Sequence, residues 1–188
     1  MRQDYRPLSL LAVTKDQINA QFPYNLPLDD NQLLVIRRGE RLSGPARIRV
    51  AAAQPGIFTT DQTGRGQGVV VGVSSTTRQQ ALADVRNPVR AGDVVVIFCA
   101  GLGAVNPPVV AGAAAPSREP LARTLHSATV TIGGRDAEVF LSGLAPGFAG
   151  LYQVNAFVPA GVEPGDTVPV VLTVAGQSSP PVAIAVEM

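Results

Sequence analysis

One stretch of the chain occurs twice. Gln17-Ile18-Asn19-Ala20-Gln21-Phe22-Pro23 returns as Gln153-Val154-Asn155-Ala156-Phe157-Val158-Pro159, and the same offset carries on without a gap from 17–50 to 153–186. Ten of these 34 positions are identical, against about 2–3 from average composition alone. The matches include Asp30 with Asp166, Val35 with Val171, Ser43 with Ser179, Pro45 with Pro181, Ile48 with Ile184 and Val50 with Val186. An ungapped match of this length means two copies of one structural unit, which any fold for this chain has to accommodate.

The repeated unit reads as β. Ala46-Arg47-Ile48-Arg49-Val50 alternates apolar and charged residues with period two, the pattern of a strand with one wet face. Its counterpart Val182-Ala183-Ile184-Ala185-Val186 keeps the apolar positions and replaces the arginines by alanine. Asn31 to Arg38 and Thr167 to Val174 read as the preceding strands, turning at Gly39-Glu40 and at Ala175-Gly176-Gln177. Pro23 and Pro159 end the strands that carry the Gln-x-Asn-Ala signature, because proline cannot donate to a sheet ladder.

More strands precede the second copy than the first. Val94 to Phe98 follows the Gly92-Asp93 turn as a buried strand. Ala128 to Ile132 alternates and is turned back by Gly133-Gly134-Arg135 into Ala137 to Leu141, a hairpin signal. Residues 91–188 therefore predict a complete all-β, immunoglobulin-like β-sandwich without the Cys-Trp-Cys core of antibody domains. Residues 1–53, with one strand near Leu8 to Val13 ahead of the repeat, predict only the C-terminal part of a related unit. Either the chain is a fragment of a longer protein, or the missing strands are expected from Gln67 to Val73 or from a partner chain. Residues 54–90 read as a connecting segment with one strand and a short helix over Ser75 to Val85, where a Ser/Thr cap precedes Ala81, Leu82 and Val85.

Composition narrows the function. Glycine and proline number 19 and 16 among 188 residues, too many for a helical bundle. The net charge of +1 gives no electrostatic footprint for nucleic acid or an anionic membrane. Cys99 is the one cysteine, which excludes an intrachain disulfide and a Cys-rich zinc site. Lying in an apolar run, it reads as a small buried hydrophobe. His126 is the one histidine, and no Gly-x-Ser-x-Gly elbow accompanies it. Lys15 is the one lysine and has no glycine-rich loop before it. Met1 to Arg6 is polar, and the longest apolar stretch, Val94 to Val105, is too short to span a bilayer. No cofactor, metal or membrane span is expected.

Several segments carry a family resemblance: Pro55-Gly56-Ile57-Phe58-Thr59, Gly101-Leu102-Gly103-Ala104-Val105-Asn106-Pro107-Pro108, Val130-Thr131-Ile132-Gly133-Gly134, and Gly143 to Asn155. Over residues 54–188 the chain resembles an uncharacterised C-terminal domain family repeated in exported proteins of Solibacter-type acidobacteria. Val130 to Val186 is more distantly similar to the IPT/TIG branch of immunoglobulin-like domains. The resemblance implies an extracytoplasmic setting, secreted or on the cell surface, and a role as stalk, spacer or adhesive module. It supplies no activity.

Each motif has a structural alternative. Gly101-Leu102-Gly103 lacks the third glycine of a nucleotide loop, and Asn106-Pro107-Pro108 forbids the helix, so a tight turn is expected. Gln17/Asn19 and Gln153/Asn155 each place two amides on one strand face; they are expected to bond backbone in a neighbouring loop, with a ligand site as the alternative. Asp29-Asp30 and Glu163 with Asp166 read as solvated turns rather than a calcium site. Arg37, Arg38, Arg41, Arg47 and Arg49 form the charge cluster.

The expected function is a non-enzymatic structural or interaction module of an exported multidomain protein. Its expected partners are other domains of the same polypeptide or surface proteins. Arg37, Arg38, Arg47 and Arg49 are the candidate contacts, together with Tyr24 and Tyr152. An accessory carbohydrate-binding module using Tyr5, Tyr24 and Tyr152 is the second expectation, with polysaccharide as ligand. A hydrolase built on His126 is the third. The open strand edge of the truncated unit predicts a homodimer.

Overall fold

The computed structural model describes residues 6–28 and 31–188, and no helix occurs among them. Among the described residues up to 50, the strands form three small antiparallel pairs. Strands β1 (Ser9–Val13) and β2 (Ile18–Gln21) make one. Next come β3 (Asn31–Leu34), the two-residue strands β4 (Arg37–Arg38) and β5 (Arg41–Leu42), and β6 (Ala46–Arg49). Here β3 pairs with β6 and β4 with β5.

The rest of the chain builds two larger sheets. Its strands are β7 (Gly56–Ile57), β8 (Val70–Val73), β9 (Gln80–Leu82), β10 (Val94–Ala100), β11 (Val105–Asn106), β12 (Arg123–Thr124), β13 (Ala128–Ile132), β14 (Arg135–Ala137), β15 (Val139–Leu144), β16 (Tyr152–Phe157), β17 (Gly165–Val174), β18 (Gln177–Ser178) and β19 (Val182–Val186). One sheet runs β11-β12-β15-β16-β10-β8-β9, with β7 also on β10; the other runs β14-β13-β17-β18, with β19 also on β17. Burial alternates strictly along β10, where Val95, Ile97 and Cys99 point inward. They share one core with Val130, Ile132, Leu172 and Ile184 of the second sheet. The two sheets thus bury a common apolar layer, as in a β-sandwich. Each fully buried Val, Leu or Ile there contributes roughly 1.5–3 kcal/mol.

The segment expected to connect two units is instead woven into this body. On one edge of β10 lie β7 and β8, opposite β16, and β9 extends β8. Between strands, residues 66–68 and 83–89 hydrogen-bond the outer edge of β19: Gly68 N–H donates to Ala183 O at 2.9 Å and Ala185 N–H to Ala83 O at 3.1 Å. Residues 54–90 therefore tie the two sheets together, and 91–188 is not complete without them. Nor does Gln67 to Val73 complete the first unit, since Val70 to Val73 pair with β10.

No helix forms over Ser75 to Val85. Gly72 pairs with Ala81 and Val71 with Leu82, so strand pairing overrides the helical pattern. Asp93 fixes the turn that precedes β9. Its carboxylate accepts from Ser75 N–H (2.8 Å), Ser75 Oγ–H (3.0 Å) and Arg90 N–H (2.9 Å). Burial pushes this carboxyl up, but those bonds and the Arg90 charge outweigh it and hold Asp93 below the ordinary carboxylate range. The Gly133-Gly134 hairpin forms as expected, both glycines at positive φ. Its return strand stops at Ala137, however, and from Val139 the chain crosses to the other sheet.

The repeat holds bond by bond. Leu34 pairs with Ala46, Leu33 with Arg47 and Gln32 with Ile48, as Val170 pairs with Val182, Pro169 with Ala183 and Val168 with Ile184. Arg37 opposes Leu42 as Thr173 opposes Ser178. Ser43 N–H donates to Ile36 O at 2.9 Å, and Ser179 N–H to Leu172 O at 2.8 Å. The correspondence also reaches further upstream than the sequence match. Between β1 and β2 a bulge falls between Leu10 and Ala12, which pair with Ala20 and Asn19. Between β15 and β16 a bulge falls between Val139 and Leu141, which pair with Ala156 and Asn155. Strand β1 is therefore the counterpart of β15. Residues 9–50 repeat the closing half of the larger unit and have no counterpart of β7 to β14.

Candidate functional site

The best-built local arrangement is the junction where the first unit meets the body. Residues of one strand face point alike, so Asn19 and Gln21 line one face of β2, and Gln17 lies just ahead of the strand. Gln21 is buried, and its Oε1 accepts from Gly112 N–H at 2.8 Å. Ser9 Oγ–H, from the neighbouring strand, donates to Ala111 O at 2.9 Å. Gly112 (φ +83) and Gly150 (φ +68) admit this approach: a Cβ on Gly112 would lie 2.7 Å from Ser9 Oγ, and one on Gly150 3.1 Å from the Gln21 amide.

Two tyrosines complete the junction. Tyr24 and Tyr152 meet edge to face, ring centroids 6.5 Å apart at 82°. Tyr152 is buried, and its hydroxyl donates to Gly103 O. Burial, with Tyr24 and Cys99 beside it, pushes the Tyr152 hydroxyl well above its ordinary range. Tyr24 is half-buried against the core cluster. Burial also raises the Tyr24 hydroxyl, opposed by Gln21. That oxygen is buried and makes no hydrogen bond among the described residues. The two tyrosines expected to offer a sugar platform are thus packed into a protein joint, and Tyr5 lies outside the described residues.

The arginines do not come together at this joint. Arg37 and Arg38 lie exposed on β4, where Arg38 opposes Arg41 across the turn. Arg47 and Arg49 lie exposed on β6, opposite Leu33 and Asn31. They form the wet face that the period-two pattern predicts.

The remaining candidates resolve locally. Gln17 Nε2–H donates to Asn19 Oδ1 at 2.6 Å, and Gln153 Nε2–H to Asn155 Oδ1 at 3.2 Å. These amides bond each other rather than loop backbone, because residues two apart on one strand already sit within reach. Cys99 is fully buried between Ile57 and Tyr152, and burial pushes its thiol up, away from a reactive thiolate. Gly101 and Gly103 both have positive φ and pack against the backbone at Gln54 and Ala52, a tight turn rather than a phosphate loop. His126 is exposed and makes no hydrogen bond to a serine or carboxylate among the described residues. Asp29 and Asp30 lie outside the described residues, while Glu163 and Asp166 are exposed. No group of three or more metal-ligating side chains occurs among the described residues. Among the described residues no helix is long and apolar enough to cross a membrane.

Sequence reasoning passed over Ser9, Gln21 and Gly150. The one signal available was the density of glycine in Pro146-Gly147-Phe148-Ala149-Gly150, a loop that admits close approach. No family model, curated protein or solved structure matches the chain.

Proposed function

We propose that this protein is a non-enzymatic interaction and spacer module, an immunoglobulin-like tandem unit of the IPT/TIG kind within an exported multidomain protein. The observation that carries the reading is the junction. Two copies of one β unit are held together by a buried glutamine, a serine and a pair of edge-to-face tyrosines. A joint with specific polar and aromatic contacts sets the orientation of neighbouring units, as a load-carrying or presenting array requires. The same packing weighs against the carbohydrate-binding alternative, since Tyr152 presents no face to a ligand.

Small-angle scattering on the full chain tests this reading. With Gln21→Ala and Tyr24→Ala combined, the first unit is expected to swing free, raising the radius of gyration and broadening the distance distribution. The body from 54 to 188 keeps its thermal transition. An unchanged scattering curve would remove the joint from the argument. Retention of the wild-type chain on a polysaccharide panel, lost in Tyr24→Ala, would transfer the reading to the carbohydrate-binding alternative.

A further inference from the structure

The two outer faces of the sandwich differ. On the sheet that holds β13 and β17, Thr129 lies opposite Thr173 and Thr131 opposite Val171, the hydroxyl-bearing surface of a solvated sheet. On the other sheet β10 turns Val94, Val96 and Phe98 outward. Val94 lies between Phe157 and Val73, and Val96 between Asn155 and Val71. The Phe157 ring packs on Phe140 with centroids 5.0 Å apart, and the two are 39% and 46% exposed. None of these outward positions on β8, β10 and β16 carries a charge. A strand with one wet face alternates apolar and polar residues, whereas a strand covered on both faces reads as an unbroken apolar run. Val94 to Ala100 is such a run, yet only its inward residues are fully buried.

We propose that this outer face is where two copies of the chain associate, sheet against sheet, about a two-fold axis running along β10. The face is self-complementary under that rotation. Its bulky side, Phe140 and Phe157, comes over the flatter side that Val71, Val73 and Leu82 form in the other copy, so large residues meet small ones. Charge follows the same rule. Glu138 is exposed at the bulky margin, where its carbonyl accepts from Phe157 N–H, and Arg78 is exposed in the turn between β8 and β9 at the flat margin. The rotation brings each acid towards the other copy's base. An apolar, aromatic centre without charge and a charged rim are the make-up of a protein interface rather than of a solvated sheet. The joint with the first unit lies elsewhere, at Gly112 and Gly150, so this inference goes beyond the tandem-unit reading and uses none of its residues. The homodimer expected at the open strand edge is thereby moved to the body.

Sedimentation of the full chain from about 1 μM to 1 mM is expected to show a reversible monomer–dimer equilibrium. Val94→Thr with Val96→Thr keeps β-branched side chains in the strand and gives this face the hydroxyls of the other sheet. That variant is expected to keep the thermal transition and to dimerise roughly tenfold or more weakly, and Val96→Lys more weakly still. Glu138→Arg or Arg78→Glu alone is expected to weaken the dimer, and the two together to restore it. Gln21→Ala with Tyr24→Ala is expected to dimerise as the wild type does. A monomer throughout the range, a dimer indifferent to the threonine and lysine variants, or no recovery on charge exchange would overturn the proposal. So would loss of the dimer in the Gln21 and Tyr24 variant, which would assign the contact to the first unit. Because the joint variants keep this face, their scattering contrast with wild type survives either outcome, and the two readings stand or fall separately.

Discussion

The chain contains the same hydrogen bond twice, once wet and once dry, which makes its value measurable. Ser179 Oγ accepts from Leu172 N–H at 3.1 Å, and Ser43 Oγ accepts from Ile36 N–H at 3.0 Å. Donor, acceptor, geometry and position in the hairpin all match. Only the surroundings differ: Leu172 is fully buried and Ile36 half exposed. Ser179→Ala leaves a buried N–H with no water to replace the lost acceptor, at a cost of about 1–3 kcal/mol. At Ser43→Ala water takes the acceptor's place, and the change stays within about 0.5 kcal/mol. For a chain of this size a loss of about 2 kcal/mol lowers Tm by roughly 4–8 °C. Urea denaturation reads the same loss as a shift of midpoint at constant slope. Amide exchange at Leu172 and Ile36 reads each site directly, without assuming that the two units unfold together. Equal effects from the two substitutions, or a larger effect at Ser43, would refute the claim that desolvation rather than geometry sets the worth of this bond.

Three further outcomes follow from the same physics. Asp93→Asn is expected to cost about 1–3 kcal/mol at neutral pH, because an amide cannot accept on both sides from Ser75 and Arg90. Since the folded state holds the Asp93 carboxyl below its unfolded value, its contribution is complete above the unfolded pKa of about 3.9 and lost as pH falls through the folded one. The gap between wild type and variant in urea midpoints should therefore close in acid, and a gap constant down to pH 2 would contradict this. Ile184→Ala opens a cavity in the shared core and is expected to cost about 2–5 kcal/mol. Ile48→Ala, at the equivalent half-buried position, should cost clearly less by the same denaturation measurement. Gly101→Ala forces a side chain into positive φ against the Gln54 carbonyl, and should lower Tm more than Gly176→Ala, where φ is also positive but the space is open.

Much of this was legible in the residues, for definable reasons. The repeat from Gln17 and Gln153 onward survives because paired strands keep both their spacing and their inward positions. The Gly133-Gly134 turn is legible because its geometry asks for residues tolerant of positive φ. The likeness of β1 to β15 is not legible: Leu10-Leu11-Ala12 and Val139-Phe140-Leu141 share no identity, and only the bulge shows the kinship. The helix over Ser75 to Val85 failed because a short apolar pattern does not outweigh an available strand partner, here Gly72 beside Ala81. Asp93 escaped notice because its partner Ser75 lies eighteen positions away and its importance comes from burial. Tyr24 and Tyr152 were named for their chemistry, but no sequence pattern said that they would face each other.

The joint between the units has a direction. The inserting residue Gln21 becomes Phe157 in the second unit, Tyr24 becomes Ala160, and Ser9 becomes Glu138. The receiving loop that carries Gly150 is reduced in the first unit to Thr14 to Gln17, a tight turn closed by Thr14 N–H donating to Gln17 O at 2.8 Å. One unit thus carries only the plug and the other only the socket. Two such halves dock once and then stop, so this contact by itself counts to two rather than propagating into a filament. A third unit added at either side would have to be held by chemistry different from that of the Gln21 and Tyr24 joint.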